Sequence, residues 1–172
     1  MGVLTASPTG RLPPAVPPAW VRGYHIATMM EKSVPLRDSS SDEGETAMRL
    51  RGLPGLDVDA GLAFVGNSAD VYVRLLKRFV QLHELDVHQM IAHAQDADRA
   101  ALQKLAHSIK GGAATLGLSG MASLAKQLEE AAGGEAPPPR LVELARALEA
   151  DHGALSRHLA QASIATSTER LA

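Results

Sequence analysis

The chain has 172 residues, and its 17 Lys and Arg against 19 Asp and Glu give a formal net charge of −2 at pH 7. A chain so close to neutral offers no electrostatic basis for binding a nucleic-acid backbone. Cysteine is absent, which excludes disulfides, a Cys-ligated zinc site and thiol catalysis. Hydrophobic residues make up 45% but aromatic residues only 3%, a composition that favours helices over a β-sandwich.

The first third of the chain is predicted to lack a packed core. Seven of the ten prolines fall in the first 54 residues, and residues 38–45 read DSSSDEGE, a polar acidic stretch with nothing to bury. Such a segment cannot offset the entropy lost on ordering. We therefore expect residues 1–52 to be a disordered or linker segment, with a short helical turn around residues 24–32.

Membrane and secretory segments are not evident in the sequence. No apolar run approaches the roughly 18 residues of a spanning helix. The N-terminal 20 residues contain Pro13, Pro14, Pro17 and Pro18 and lack the continuous apolar region of a secretory signal. We expect a cytoplasmic protein with no direct membrane insertion.

From residue 53 onward, apolar residues recur at spacings of three and four, which is typical of amphipathic helices. The pattern predicts a short helix over 57–65 and long helices over 69–94, 99–116, 119–133 and 141–164, followed by a tail at 165–172. Ser68, Asp98 and Ser119 are the expected N-caps. Gly117, Gly133–Gly134 and the prolines at 137–139 are expected to separate the helices. The predicted fold is all-α, an antiparallel four-helix bundle over residues 53–164 with the short helix closing one end.

The helix over 99–116 presents one histidine to solvent. Leu102, Leu105, Ile109 and Leu116 form its apolar stripe, and at 100° per residue His107 lies about 200° from Leu105. The residues that share its outer face are small, polar or basic; they are Ala100, Gln103, Lys104, Lys110, Gly111 and Ala114.

Two glycines follow His107 inside this helix, where each costs on the order of 1 kcal/mol relative to alanine. Gly112 can serve close contact between helices. Gly111 lies on the outer face, where a missing side chain gives another surface room to approach the imidazole. The charge of Lys110 favours the neutral, nucleophilic imidazole and can neutralise an anion placed on it. These are the needs of a histidine that accepts a phosphoryl group.

The segment His107-Ser-Ile-Lys-Gly-Gly-Ala-Ala-Thr-Leu-Gly117 resembles the signature of histidine phosphotransfer (HPt) domains. Gly112 is a small departure, because Ser or Ala is commoner there. Residues 53–57, Leu-Pro-Gly-Leu-Asp, and residues 72–79 resemble the entry to HPt domains at the C-terminal ends of hybrid sensor kinases. The resemblance covers about residues 53–163 and implies a four-helix bundle with the histidine exposed.

The resemblance implies that His107 is phosphorylated, that Lys110 assists the phosphoryl oxygens and that Gly111 gives clearance for a receiver domain. We expect Gln103, Lys104 and Ala114 to contact the partner too. The predicted role is a monomeric phosphorelay intermediate between receiver domains of a hybrid sensor kinase and a response regulator. The receivers would supply Mg²⁺, so no metal or cofactor is expected here, and no ATP-dependent kinase activity. The alternatives are a non-transferring helical adaptor for receivers or kinases and a purely structural bundle.

Other candidate sites are weaker. His83, His88 and His93 recur every five residues, which places them 140° apart on a helix instead of on one face as metal ligands require. We interpret them, with His152 and His158, as solvated surface histidines. Glu129 and Glu130 are interpreted as an ordinary charged face, and the apolar residues from Met121 to Leu128 as bundle core. No GxxxxGK[ST] phosphate loop occurs.

Overall fold

The computed structural model describes residues 40–169, with side chains over residues 43–163, and this part of the chain is all helix and loop without a β-strand. Its six helices are α1 (Ser40–Leu50), α2 (Val58–Phe64), α3 (Ala69–Gln95), α4 (Arg99–Thr115), α5 (Ser119–Gly133) and α6 (Pro138–Glu169). The all-helical prediction is confirmed. The helical turn predicted around residues 24–32 lies outside the described residues.

Helices α3 to α6 form the bundle, since each packs against its neighbours in the cyclic order α3, α4, α5, α6. Short connections make consecutive helices antiparallel. The core is largely aliphatic, as the composition predicts, with Tyr72 and Phe79 of α3 as its aromatic members. Its largest fully buried aliphatic side chains in the bundle include Leu76, Met90, Leu102, Ile109, Leu128, Leu141, Leu148 and Leu155. In α4, Leu105 is only partly buried and Ala106 is fully buried, so the predicted stripe is rotated slightly.

Polar N-caps start three of the six helices, and two of them, Ser68 and Asp98, are N-caps that the sequence predicts. Asp57, Ser68 and Asp98 each accept a hydrogen bond from a backbone N–H in the first turn, at Ala60, Val71 and Ala101 respectively. The prediction for Ser119 is wrong, because Leu118 occupies the N-cap without a side-chain bond. The Ser119 hydroxyl instead donates to the Gly55 carbonyl at 3.1 Å, which ties the start of α5 to the loop before α2.

Helix α2 and Tyr72 close the end of the bundle at which α4 stops. The Tyr72 hydroxyl donates to the Leu116 carbonyl at 3.0 Å. Burial, with a smaller contribution from the charge of Asp57, raises the pKa of Tyr72 to about 12. Gly61 passes so close that a Cβ there would lie 2.3 Å from the Tyr72 ring. Gly117 ends α4 with a φ of +75°, as predicted, and its carbonyl accepts from the Asp57 N–H at 2.7 Å.

Residues 40–50 differ from the expected linker, because they form helix α1 and pack against α3 and α6. Ala47 and Leu50 are buried in the core, and Thr46 is buried beside them. The acidic residues Glu43 and Glu45, interpreted as part of a solvated stretch, stand in the N-terminal half of the helix, where its dipole favours negative charge. Thr46, Ala47 and Leu50, in the C-terminal half of the helix, supply the buried surface that the acidic composition of the stretch did not predict.

The last helix also differs from its predicted bounds. Helix α6 runs from Pro138 to Glu169, so the predicted tail at 165–172 is wrong over its first five residues. Proline fits the first turn of a helix, where its missing N–H leaves no bond unmade. No glycine or proline follows Gly153, and the helix therefore continues past its last apolar residue.

Candidate functional site

His107 lies on the outer surface of α4, as its spacing from the apolar stripe predicts. Its side chain is 66% exposed, whereas Ala106 before it and Ile109 after it are fully buried. The buried neighbours on both sides fix the rotation of α4, which is further held at its end by the Tyr72 bond to Leu116. The imidazole therefore projects from a rigid helix.

One nitrogen of this imidazole is engaged by a carboxylate from the adjacent helix. His107 Nδ1 lies 2.8 Å from Oε1 of Glu129 in α5. A carboxylate only accepts hydrogen bonds, so Nδ1 carries a hydrogen, and in the neutral imidazole Nε2 then carries the lone pair. Within the described part of the chain Nε2 makes no hydrogen bond. The nitrogen left open to solvent is thus the nucleophilic one.

The same carboxylate binds Lys110. Lys110 Nζ lies 2.5 Å from Glu129 Oε2, and the Glu129 side chain is 18% exposed. Partial burial by itself raises the pKa of Glu129, but hydrogen bonds from Lys110 and His107, together with the charge of Lys110, outweigh it, and the pKa lies below its usual 4.5. Glu129 therefore stays ionised at neutral pH with one oxygen on each partner.

The interpretation of Glu129 as an ordinary charged face is wrong. The sequence did contain a signal for this contact. α4 and α5 are antiparallel neighbours, and His107 and Glu129 lie equally far along the chain from Leu118, which is in the connection between the two helices. Residues so placed lie at the same level of a helical hairpin. Periodicity within one helix does not contain that relation.

The two glycines after His107 have different surroundings. A Cβ on Gly111 would meet nothing within 4 Å, whereas one on Gly112 would lie 3.0 Å from Cε2 of Phe79. Gly112 therefore allows α3 and α4 to approach, and Gly111 leaves open space beside the imidazole. The other expected contact residues, Gln103, Lys104 and Ala114, are exposed on this side, and the Gln103 amide covers Gly133 of α5.

The model of the Hpt domain family matches residues 74–163, more than half of the chain. The chain belongs to the Hpt domain family. The match begins inside α3 and ends in α6, so it spans the whole α4–α5 hairpin that carries the imidazole, the lysine and the carboxylate. Neither the curated proteins nor the solved structures contain a match to the chain.

Membership in the family supports a histidine phosphotransfer role in a phosphorelay, and Hpt domains generally interact with receiver domains. None of the helices in residues 40–169 combines the length and apolar content needed to cross a membrane. The described residues hold no group of three or more His, Cys, Asp or Glu arranged to bind a metal ion.

Two other histidines of the Hpt domain are buried, contrary to their interpretation as surface residues. His83 stacks on Phe79 with ring centroids 4.7 Å apart, and its Nδ1 pairs with Asp86 at 2.8 Å. His152 donates from Nε2 to the Val80 carbonyl at 2.9 Å. Each side chain fills space between helices and has one ring nitrogen in a hydrogen bond. An interpretation based on polarity alone therefore placed both at the surface.

A second exposed imidazole–carboxylate pair lies between α3 and α6. His88 Nδ1 is 2.7 Å from Glu149 Oε1, and the His88 side chain is 60% exposed. The contact has the same atoms and nearly the same length as the one at His107. In the described residues, however, no lysine or arginine pairs with Glu149, and no glycine follows His88 on its helix. The Hpt domain thus contains a natural comparison for its candidate site.

Proposed function

We propose that His107 is the phosphorylated residue, accepting a phosphoryl group from a receiver-domain aspartate and passing it to the aspartate of another receiver. The observation that carries the proposal is the exposed imidazole with Nε2 free beside the open space at Gly111. In-line transfer between two proteins needs a nucleophile that a partner's acidic pocket can reach. No other histidine among the described residues combines exposure, a fixed tautomer and such clearance.

The proposed reaction is nucleophilic and reversible. The lone pair of Nε2 forms a bond to phosphorus while the bond from phosphorus to the receiver's aspartyl oxygen breaks, and its electron pair leaves with the carboxylate. In this proposal Lys110, which lies one turn from His107, stabilises the phosphoryl oxygens. In this proposal the receiver supplies Mg²⁺ and the acidic pocket, and the Hpt domain has no ATP-dependent kinase activity of its own.

The docking surface in this proposal is the outer face of α4 around the imidazole. Gln103, Lys104, Gly111 and Ala114 are the residues assigned to it, because they flank His107 and are exposed. We further propose that the domain is monomeric and cytoplasmic. In this proposal it acts between the receiver of a hybrid sensor kinase and the receiver of a response regulator.

The test is incubation with a phosphorylated receiver, comparing wild type, His107→Gln and the matched control His88→Gln. Wild type and the control should acquire an acid-labile, base-stable phosphate, and His107→Gln should acquire none. Persistent labelling of His107→Gln would assign the phosphate to another histidine. Binding of receivers without any labelling of wild type would favour the adaptor instead.

A further inference from the structure

Glu129 divides its two carboxylate oxygens between the proposed nucleophile and the nearest cation. We propose that Glu129 is a positioning residue that makes Nε2 the phosphorylated nitrogen and holds Lys110 beside it until the phosphoryl group arrives. This inference rests on the proposed function of His107. It adds a residue of α5 to a site otherwise built from α4 alone.

The first part of the role is the choice of ring nitrogen. A neutral imidazole free in water exchanges its hydrogen between the two nitrogens, and only the nitrogen without hydrogen can attack phosphorus. The 2.8 Å contact from Nδ1 to Glu129 Oε1 keeps the hydrogen on Nδ1. It also orients the ring so that Nε2 points away from α5.

The second part concerns charge during the reaction. When Nε2 bonds to phosphorus, the bond to the aspartyl oxygen breaks and no proton has to leave the ring. The ring keeps its Nδ1–H and becomes positively charged. The ionised Glu129 accepts the hydrogen bond from this cation, as a buried carboxylate does for the histidine of a catalytic triad. Return transfer to a receiver aspartate restores the neutral ring.

The third part concerns Lys110. Before transfer its ammonium group pairs with Glu129 Oε2 at 2.5 Å. After transfer the ring carries one positive charge and the phosphoryl group about two negative charges. Lys110 has a flexible stem and lies one turn from His107, so it can exchange the carboxylate for the phosphoryl oxygens. Glu129 then neutralises the ring and Lys110 the phosphoryl group.

The His88–Glu149 pair is the matched control for this role. It repeats the Nδ1 contact at 2.7 Å on the opposite side of the bundle, but no lysine within residues 43–163 pairs with the second carboxylate oxygen. Removing the carboxylate there perturbs an exposed histidine of the same domain to a similar degree. Glu149→Ala should therefore reveal any general effect on folding without touching the transfer site.

The experiment measures single-turnover transfer from a phosphorylated receiver and the ¹⁵N shifts of the His107 ring in the full chain. We expect Glu129→Ala to slow transfer by about 10- to 100-fold and to give a mixture of ring tautomers. Glu129→Gln should have an intermediate rate, because its amide oxygen still accepts from Nδ1–H but carries no charge. Wild type and Glu149→Ala should transfer equally fast, with the hydrogen of His107 on Nδ1 in both.

A double variant tests the link to Lys110. If Glu129 holds the lysine in place, Lys110→Ala combined with Glu129→Ala should slow transfer by less than the product of the two single effects. If the double variant instead slows transfer by the full product of the two single effects, the proposed movement of Lys110 from Glu129 to the phosphoryl oxygens is overturned.

The outcomes separate this inference from the function on which it rests. Unchanged transfer and an unchanged tautomer in both Glu129 variants would overturn the role of Glu129 while leaving His107 as the acceptor. A wild type that receives no phosphate, or a His107→Gln variant that still does, would overturn the proposed function itself. Circular dichroism of each variant excludes unfolding as the cause of a slow rate.

Discussion

The α4–α5 face and the α3–α6 face of the bundle both present a histidine whose Nδ1 meets a glutamate from the adjacent helix. On the first face the carboxylate also holds Lys110, and Gly111 leaves the surface beside the ring open. On the second, His88 and Glu149 line the same groove as the buried His152, and among the described residues no such cation pairs with Glu149. An exposed imidazole–carboxylate pair is thus not distinctive by itself. A cation on the same carboxylate and a missing side chain beside the ring distinguish the candidate site.

After the complete loss of labelling expected for His107→Gln, the largest expected effect comes from filling the space at Gly111. Gly111→Glu should slow transfer from a phosphorylated receiver on the order of 100-fold, because a small displacement of the partner removes in-line geometry. The helical circular dichroism should persist, since a Cβ at Gly111 meets nothing within 4 Å and glycine is the poorer helix former.

The control for this variant is the same substitution on the opposite face. Gly153 also lies inside a helix, and a Cβ there meets only the far end of the Arg157 side chain at 3.3 Å. Gly153→Glu should leave transfer unchanged. Equal rates for Gly111→Glu and wild type would mean that no partner approaches α4 at this point.

A smaller effect is expected from the cation. Lys110→Ala should lower the transfer rate at least about tenfold, and should weaken binding of unphosphorylated receiver much less, because a charge aimed at the reacting group acts chiefly in the transition state. Single-turnover transfer and titration calorimetry on one preparation provide both quantities. Equal losses would make Lys110 a docking contact, which is what the adaptor alternative requires.

The smallest expected effect is a dependence of folding stability on pH, and it comes from the α3–α6 face. Burial, with the nearby His83 and His88, lowers the pKa of His152 below its usual 6.5, against opposing contributions from its bond to Val80 and from Glu84. The unfolded chain then binds this proton more tightly than the folded one. Stability should fall as the pH drops below about 6.5, by at most about 1.4 kcal/mol per pH unit.

His152→Gln isolates this contribution, because a glutamine amide can still donate to the Val80 carbonyl but does not titrate. Thermal unfolding between pH 7 and pH 5 should show a shallower loss of Tm in the variant than in wild type. Parallel curves would show that His152 does not contribute to the acid sensitivity of the fold.

The amino-acid sequence alone determined the helices and the rotation of α4. Alternation of apolar and polar residues at helical spacing, caps such as Ser68 and Asp98, and the stop at Gly117 are local features, and each acts within a few residues of itself. They suffice to predict four amphipathic helices, a bundle and an outward-facing His107. These local features did not predict the burial of α1, because its few apolar residues follow a run of acidic ones.

Tertiary structure alone decided which side chains meet across helices. Glu129 reaches His107 and Lys110 only because α4 and α5 pack in one register, and His83 and His152 are buried only because α3 lies against α4 and α6. Register depends on the packing of both helices and on the connection between them, and neither helix contains that information in its own spacing. The imidazole could therefore be identified from the spacing within one helix, but its carboxylate partner could not.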